Sequence, residues 1–332
     1  MNFRLTPRRL LVLCSVLLGL ALLVAGVSLL VGTVTFTPGD VLNALFRGSG
    51  LTRMILFELR LPRIVLALFV GAALAVAGAC FQALLRNALA DPYVLGISSG
   101  AALGVIVALL LAPRSVAVPP FFALAGALLT TAVVYLLGYR RGRLASHSLL
   151  LAGVITASFL SAIIVFLMTA LGSRDLRSTA YWIMGDLSLY TGVPIGLVAA
   201  AVLAAAALAY FHAASLNVLL MGEPEAAALG VNVPRTKLAV YVAASILTAV
   251  AVAAAGSIGF VGLLVPHLVR LLFGNDYRVL LPSSALAGAA LLAAADTVAR
   301  TVAAPTELPV GAVTALAGAP LFIYLLRRSA PQ

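Results

Sequence analysis

Ten apolar tracts of about 17 to 23 residues fill most of this chain, the length a helix needs to cross the hydrocarbon of a bilayer. They run over 10–31, 64–85, 94–112, 116–137, 149–171, 193–211, 238–256, 257–273, 279–295 and 308–326. Inside lipid a peptide group has no water to bond, so such tracts fold as helices. The expected fold class is an all-α polytopic membrane protein of ten transmembrane helices, one domain over residues 1–332. The seventh and eighth tracts form one apolar stretch interrupted by Gly256, Gly259 and Gly262. It breaks into two helices or forms a turn inside the protein, or it is one long helix and the count falls to nine.

Composition agrees. Of 332 residues 63% are apolar and 9% charged, whereas a soluble domain is about a quarter charged. A soluble enzyme, a nucleic-acid module and a disordered chain are thereby excluded. Cys14 and Cys80 lie in apolar tracts without C-x-x-C spacing and read as packing residues. Arg4, Arg8 and Arg9 before the first tract have the charge order of a signal peptide. The tract is too long for a cleaved one, so it is expected to stay as the first span.

The formal charge of +11 comes from twenty arginines and one lysine, Lys237, against ten acids. Ten spans with a cytoplasmic N-terminus put thirteen basic residues inside and eight outside, as the positive-inside rule requires. With four acids inside and six outside, the inner face carries +9 and the outer +2. The outer set includes Arg53, Arg60, Arg63, Arg177 and Arg300. These either snorkel to headgroups or form a docking surface for an acidic partner.

Two loops are long enough to have a role. The outer one, 32–60, contains Thr37-Pro38-Gly39-Asp40 ahead of an apolar run at 41–46, which reads as a capped surface helix. The inner one, 217–237, places Glu223, Pro224 and Glu225 where a helix begins and Gly230 where it ends. A capped helix of about two turns on the inner side is either a connector or a handle for another protein. Gly96, Gly100 and Gly104 recur every four residues and predict a flat face for close helix packing. Before them, the polar break 86–92 ends in Pro92 and must be buried in protein or line a water path.

Much chemistry is absent from the sequence. There is no phosphate-loop motif and no H-E-x-x-H, and His147, His212 and His267 lack ligand spacing. No catalytic residue, metal site or bound cofactor is therefore expected. Asp91, Asp186, Asp296 and Glu307 lie near tract ends, not in mid-span where an ion-coupled carrier keeps its relay groups. An ion-coupled secondary transporter is thus a distant alternative, and a purely structural scaffold a weaker one.

Several motifs then become recognisable. ELRLPRIVLALFVGAALAVAGACFQALLRNALADPYVLGISSGAALG from Glu58, GSIGFVGLLVPHLVRLLFGNDYR at 256–278, ADTVAR at 295–300 and ELPVGAVTALAGAPLFIYLLRR at 307–328 resemble the FecCD family. That family comprises permease subunits of ABC importers for iron chelates and cobalamin. The resemblance implies a type II ABC importer permease in the bacterial cytoplasmic (inner) membrane, with both termini cytoplasmic. Its implied partners are a second permease copy, two ABC subunits that bind ATP and Mg, and a periplasmic substrate-binding protein.

By the same resemblance, 217–237 is the coupling loop, and Glu223, Glu225, Ala226, Ala227, Leu229 and Gly230 meet the ATPase. Arg60, Arg63 and Arg300 would pair with acidic lobes of the binding protein. Asn87, Leu89, Ser146, His147 and Ser148 would form the cytoplasmic gate, although Ala88 stands where the family usually has proline. The implied cargo is a bulky metal chelate, an iron-siderophore or haem, with cobalamin as the alternative and molybdate behind both. Arg177 and Trp182 either meet that cargo at the outer mouth or anchor the chain at the interface.

Overall fold

The computed structural model describes residues 7–46, 50–112, 115–140, 143–170, 182–188 and 194–329. Helix α1 is Pro7–Leu30 and α2 is Pro38–Phe46, followed by the long α3 over Leu51–Leu85, whose segment Met54–Arg60 has the wider π-helical turn. Then come α4 (Ile97–Leu111), α5 (Val118–Gly138), the short strands β1 (Tyr139–Arg140) and β2 (Arg143–Leu144), and α6 (Ser146–Ala170). The remainder is α7 (Ile195–Phe211), α8 (Ala213–Leu219), α9 (Glu223–Ala228), α10 (Val233–Ala255), α11 (Val261–Phe273), α12 (Tyr277–Thr301) and α13 (Val310–Ser329).

Each apolar tract of the sequence is helical. Among the described residues α1, α3, α5, α6, α10 and α12 are each long and apolar enough to cross a membrane. The pair α7 and α8, bent by 48°, reaches that length together, and Ile97–Leu111, Val261–Phe273 and Val310–Leu325 are shorter apolar helices. The helix starts follow local chemistry. Thr37 and Asp40 cap α2 reciprocally: Thr37 N donates to Asp40 Oδ2 at 2.8 Å and Asp40 N to Thr37 Oγ1 at 3.2 Å. Asn232 and Asp276 cap α10 and α12 by accepting from Arg235 N and Arg278 N.

Helix α3 is the axis of the bundle, packed by α12, α10 and α11 and buried along most of its length. Helix α1 lies at the edge with nearly all of its surface open. The expected small-residue face is present at Gly100 and Gly104, which bring α4 against the backbone of α5 at Gly126 and Phe122. Gly96 is different. It sits ahead of α4 with φ +77° and turns the chain out of the single 3₁₀ turn Pro92–Leu95.

The tract 238–273 breaks in two, which removes the single-long-helix reading. Helix α10 ends at Ala255 and α11 begins at Val261, with Gly256 and Phe260 both at φ +68°. The polar groups released by the break are taken up by neighbours. Ile258 N donates to the Tyr93 hydroxyl at 3.1 Å, Phe260 N to the Asp91 carboxylate, and Asp186 N to Ala255 O at 2.9 Å. The polar break at 86–92 and the broken tract thus satisfy each other, as buried irregular backbone requires.

A Cβ at Gly104 would lie 2.1 Å from the carbonyl oxygen of Phe122, so Gly104→Val must push α4 and α5 apart. Overpacking of this kind should cost about 1–3 kcal/mol, read as a lower melting midpoint of the detergent-purified protein. An unchanged midpoint would show that the two helices do not meet at this point.

Candidate functional site

Helix α3 carries one polar cluster about three turns in from its start and another at its end. In the first, Arg63 donates from Nε to Asp296 Oδ1 at 2.9 Å and from Nη1 to Glu307 Oε2 at 2.6 Å. Arg300, one helical turn after Asp296 on α12, pairs with its other oxygen at 3.0 Å and donates to Ser28 O on α1 at 3.3 Å. Arg60 donates to the carbonyls of Leu29, at 2.9 Å, and of Val34, with its guanidinium 4.9 Å from the centre of the Phe36 ring.

Arg60, Arg63 and Arg300, expected to pair with acidic lobes of a binding protein, are engaged within this chain in the structure. Their exposures are 5%, 9% and 3%, and each guanidinium is spent on acceptors of this chain. A buried charge must be paired and hydrogen-bonded, and two carboxylates plus the end of α1 supply the pairing. What reaches the surface from the cluster is Glu307, about one-third exposed. The residues that sequence reading missed here are Asp296 and Glu307. The Asp296-to-Arg300 spacing was the available signal.

Trp182 is buried, with its backbone oxygen against Gly256. Arg177 lies outside the described residues.

At the opposite end, α9 begins with Glu223 and Pro224 and closes in a Schellman turn, with Val231 N on Ala226 O at 3.0 Å and Gly230 N on Ala227 O at 3.0 Å. Gly230 takes the left-handed φ of +84° that this turn needs. The helix has six residues, slightly under the expected two turns. Only Ala226 is buried, while Glu225, Ala227, Leu229 and Gly230 are exposed, Leu229 at 66%.

Five polar links tie this helix, its flanks and the neighbouring hairpin to the bundle. Lys237 Nζ on α10 bonds the Glu223 carboxylate and donates to Leu144 O of β2 at 2.8 Å. Ser146 Oγ donates to Leu84 O at the end of α3 at 2.6 Å. Arg86 Nη2 reaches Leu219 O at the end of α8 at 3.4 Å. Asn217 Nδ2 donates to Asp276 Oδ1 at 2.7 Å, joining α8 to α12. Burial works against the Asp276 carboxylate, yet the hydrogen bonds from Arg278 and Asn217 hold its pKa below the ordinary value.

The expected gate residues fall in this region. Asn87 Oδ1 accepts from Leu89 N at 2.9 Å in an exposed turn that follows Arg86, whose φ is +48°. His147 is exposed and Ser148 half-buried beside Ser146. The Ser146 bond to Leu84 therefore brings the two segments together. Lys237 and Leu144 are the participants that sequence reading missed, since no local motif links positions so far apart.

Among the described residues no group of three or more His, Cys, Asp or Glu could hold a metal ion. The arrangement is mechanical: a protruding capped helix joined by charge-assisted bonds to a hairpin and a turn. At the other end, Asp296→Asn would leave Arg63 and Arg300 buried with one acid fewer. Breaking a buried pair costs about 3–5 kcal/mol, visible as a marked fall in the thermal midpoint in detergent. A loss under about 1 kcal/mol, the scale of a surface pair, would refute the bracing role.

The comparisons with known proteins agree with these features. The model of the FecCD transport family matches residues 8–328. The chain is 49% identical over 281 residues to the cobalamin import system permease protein BtuC of Halobacterium salinarum, covering 83% of this chain and 74% of that protein. It is 42% identical over 289 residues to the hemin transport system permease protein HmuU of Yersinia pestis, covering 84% of each. A solved metal-chelate type ABC transporter in an inward-facing conformation superposes with a TM-score of 0.83 at 31% identity, over 96% of this chain and 99% of that one. With one family model spanning almost every residue and relatives matching over most of their own length, the chain belongs to the FecCD transport family and is an ABC transporter permease.

Proposed function

We propose that this permease is the membrane subunit of an ATP-driven importer for a bulky metal chelate in a bacterial cytoplasmic membrane. The observation that carries the reading is α9, a capped helix with one buried residue and an exposed Leu229, held by charged bonds at one end of the bundle. Such a helix suits a groove in a separate ATPase, which would bind ATP and Mg. Ten crossings with both termini cytoplasmic put α9 on the inner side and the Arg63 cluster on the outer side. The chain would work as a homodimer over two ATPases, with a binding protein delivering cargo to the outer mouth.

The burial of the three arginines supports a bracing role for them beneath that docking surface. Arg60, Arg63 and Arg300 brace the ends of α1 and α12 against α3, so the outer rim keeps its shape under a partner. Closure of the ATPases on ATP displaces α9, and a ligand can shift a two-state equilibrium only by binding one state better. ATP-bound ATPase supplies that difference.

The cargo is an iron-siderophore or haem; haem is supported by the Yersinia relative named for hemin transport. Cobalamin is the second reading, favoured by the 49% identity to a permease named for cobalamin import. Proteoliposomes holding the permease, its ATPase and its binding protein should take up one of haem, a ferric siderophore or cyanocobalamin only when ATP is present. Uptake driven by an ion gradient without ATP would overturn the importer reading.

Leu229→Asp should remove the ATPase in co-purification while leaving the melting midpoint of the permease unchanged, because Leu229 is exposed. Full retention of the ATPase together with ATP-driven uptake would refute α9 as its seat.

A further inference from the structure

The coupling helix and the segment preceding Ser146 are connected through one side chain. Lys237 is the only lysine of the chain, and its side chain is 6% exposed. A buried ammonium is tolerated only with acceptors in place, and two of its three donors are taken here by Glu223 at the start of α9 and the carbonyl of Leu144 at the end of β2. Glu223 is about one-third exposed, whereas Leu144 is buried. The ammonium thus holds a surface helix to the buried end of β2.

The contacts close into a ring. From Leu219 the chain turns into α9; Glu223 bonds Lys237, Lys237 bonds Leu144, and two residues on Ser146 bonds Leu84. Leu84 leads into Arg86, which returns to Leu219 O. Each link is a hydrogen bond or ion pair between different elements. A push on α9 therefore has a route to the hairpin and to the turn at 87–89 that does not depend on bending a long helix.

We propose that Lys237 is the positioning residue that makes α9 and the β1–β2 hairpin move as one body, so that displacement of the coupling helix is delivered to the segment Ser146–Ser148. This rests on the reading of α9 as the seat of the ATPase. A lysine suits the role because its compact charge on a flexible stem serves two acceptors set at an angle, a geometry that the planar fork of arginine matches only in part.

The test uses the complete transporter with its ATPase and binding protein. Spin labels go on Met221→Cys and Ala145→Cys, both exposed positions, with Cys14→Ser and Cys80→Ala removing the native thiols. Pulsed EPR then compares the nucleotide-free and vanadate-trapped states, alongside ATP-driven uptake of haem and of cyanocobalamin. With Lys237 present, the separation within one protomer, isolated by diluting labelled permease with unlabelled copies, stays a single narrow distribution in both states.

Lys237→Met keeps the ATPase in co-purification, broadens or shifts that separation on trapping, and lowers cargo moved per ATP about tenfold, the scale of a lost coupling. Lys237→Arg recovers part of both, which a packing role alone would not produce. Wild-type transport per ATP in Lys237→Met, or a wild-type separation that changes between states, overturns the proposal. Loss of the ATPase from Lys237→Met also overturns it, since the lysine would then shape the dock and not transmit its motion.

If Lys237→Met does not assemble, Glu223→Gln breaks the same link at a partly exposed position. An assembled and fully coupled Glu223→Gln overturns the proposal. Failure of the underlying reading is a separate result: the ATPase then stays bound to Leu229→Asp.

Discussion

Every peptide group that leaves a helix within this bundle has to find a partner in the protein, because lipid offers none. The gap between α10 and α11 shows how that constraint sets the rest. Its free groups are met by Tyr93, Asp91 and the segment at 182–186, so three stretches of chain far apart in sequence are obliged to converge there. Trp182 is buried because its backbone lies against Gly256, and Gly311 packs at the same place, its Cβ position blocked by the carbonyl of Met184. Once these pieces meet, α3 is enclosed between α10, α11 and α12 and becomes the shared axis.

Charge is placed by the same logic. Among the described residues, buried ion pairs lie in the outer part of α3, where Arg63 meets Asp296 and Glu307, and near the start of α10, where Lys237 meets Glu223. One cluster fixes the ends of α1 and α12 to α3; the other joins a surface helix to a hairpin. The difference lies in exposure. Asp296 is sealed at 1%, but Glu223 is about one-third exposed and α9 apart from Ala226 is open to a partner.

The helices were legible because each is coded locally. Tract length, the Thr37 and Asp40 capping pair, Pro224 with Gly230, and the Gly100 to Gly104 spacing all act within a few residues of themselves. The site was legible only in part. The position of α9 and the proximity of the 87–89 and 146–148 segments came from recognised motifs, while the partners of the arginines did not. Arg63 finds Asp296 across 233 positions and Lys237 finds Leu144 across 93, and no periodicity reports such pairings. Arg60, Arg63 and Arg300, counted on the outer side, are bonded within the chain, since charge counts give the side of the membrane but not the direction of a side chain. The β1–β2 hairpin was too short to leave a pattern.

The attachment of α1 has a consequence for how the protein is made. Its Ser28 hydroxyl lies 2.5 Å from that of Thr297, and Arg300 takes the Ser28 carbonyl. During synthesis the first helix therefore enters the bilayer some 269 residues before the Thr297 hydroxyl exists, with Arg60 of α3 as its earlier contact. Until then its almost wholly apolar surface suits it to lipid. The last stage of assembly is then the return of a late helix to the earliest one, clasped at a single end.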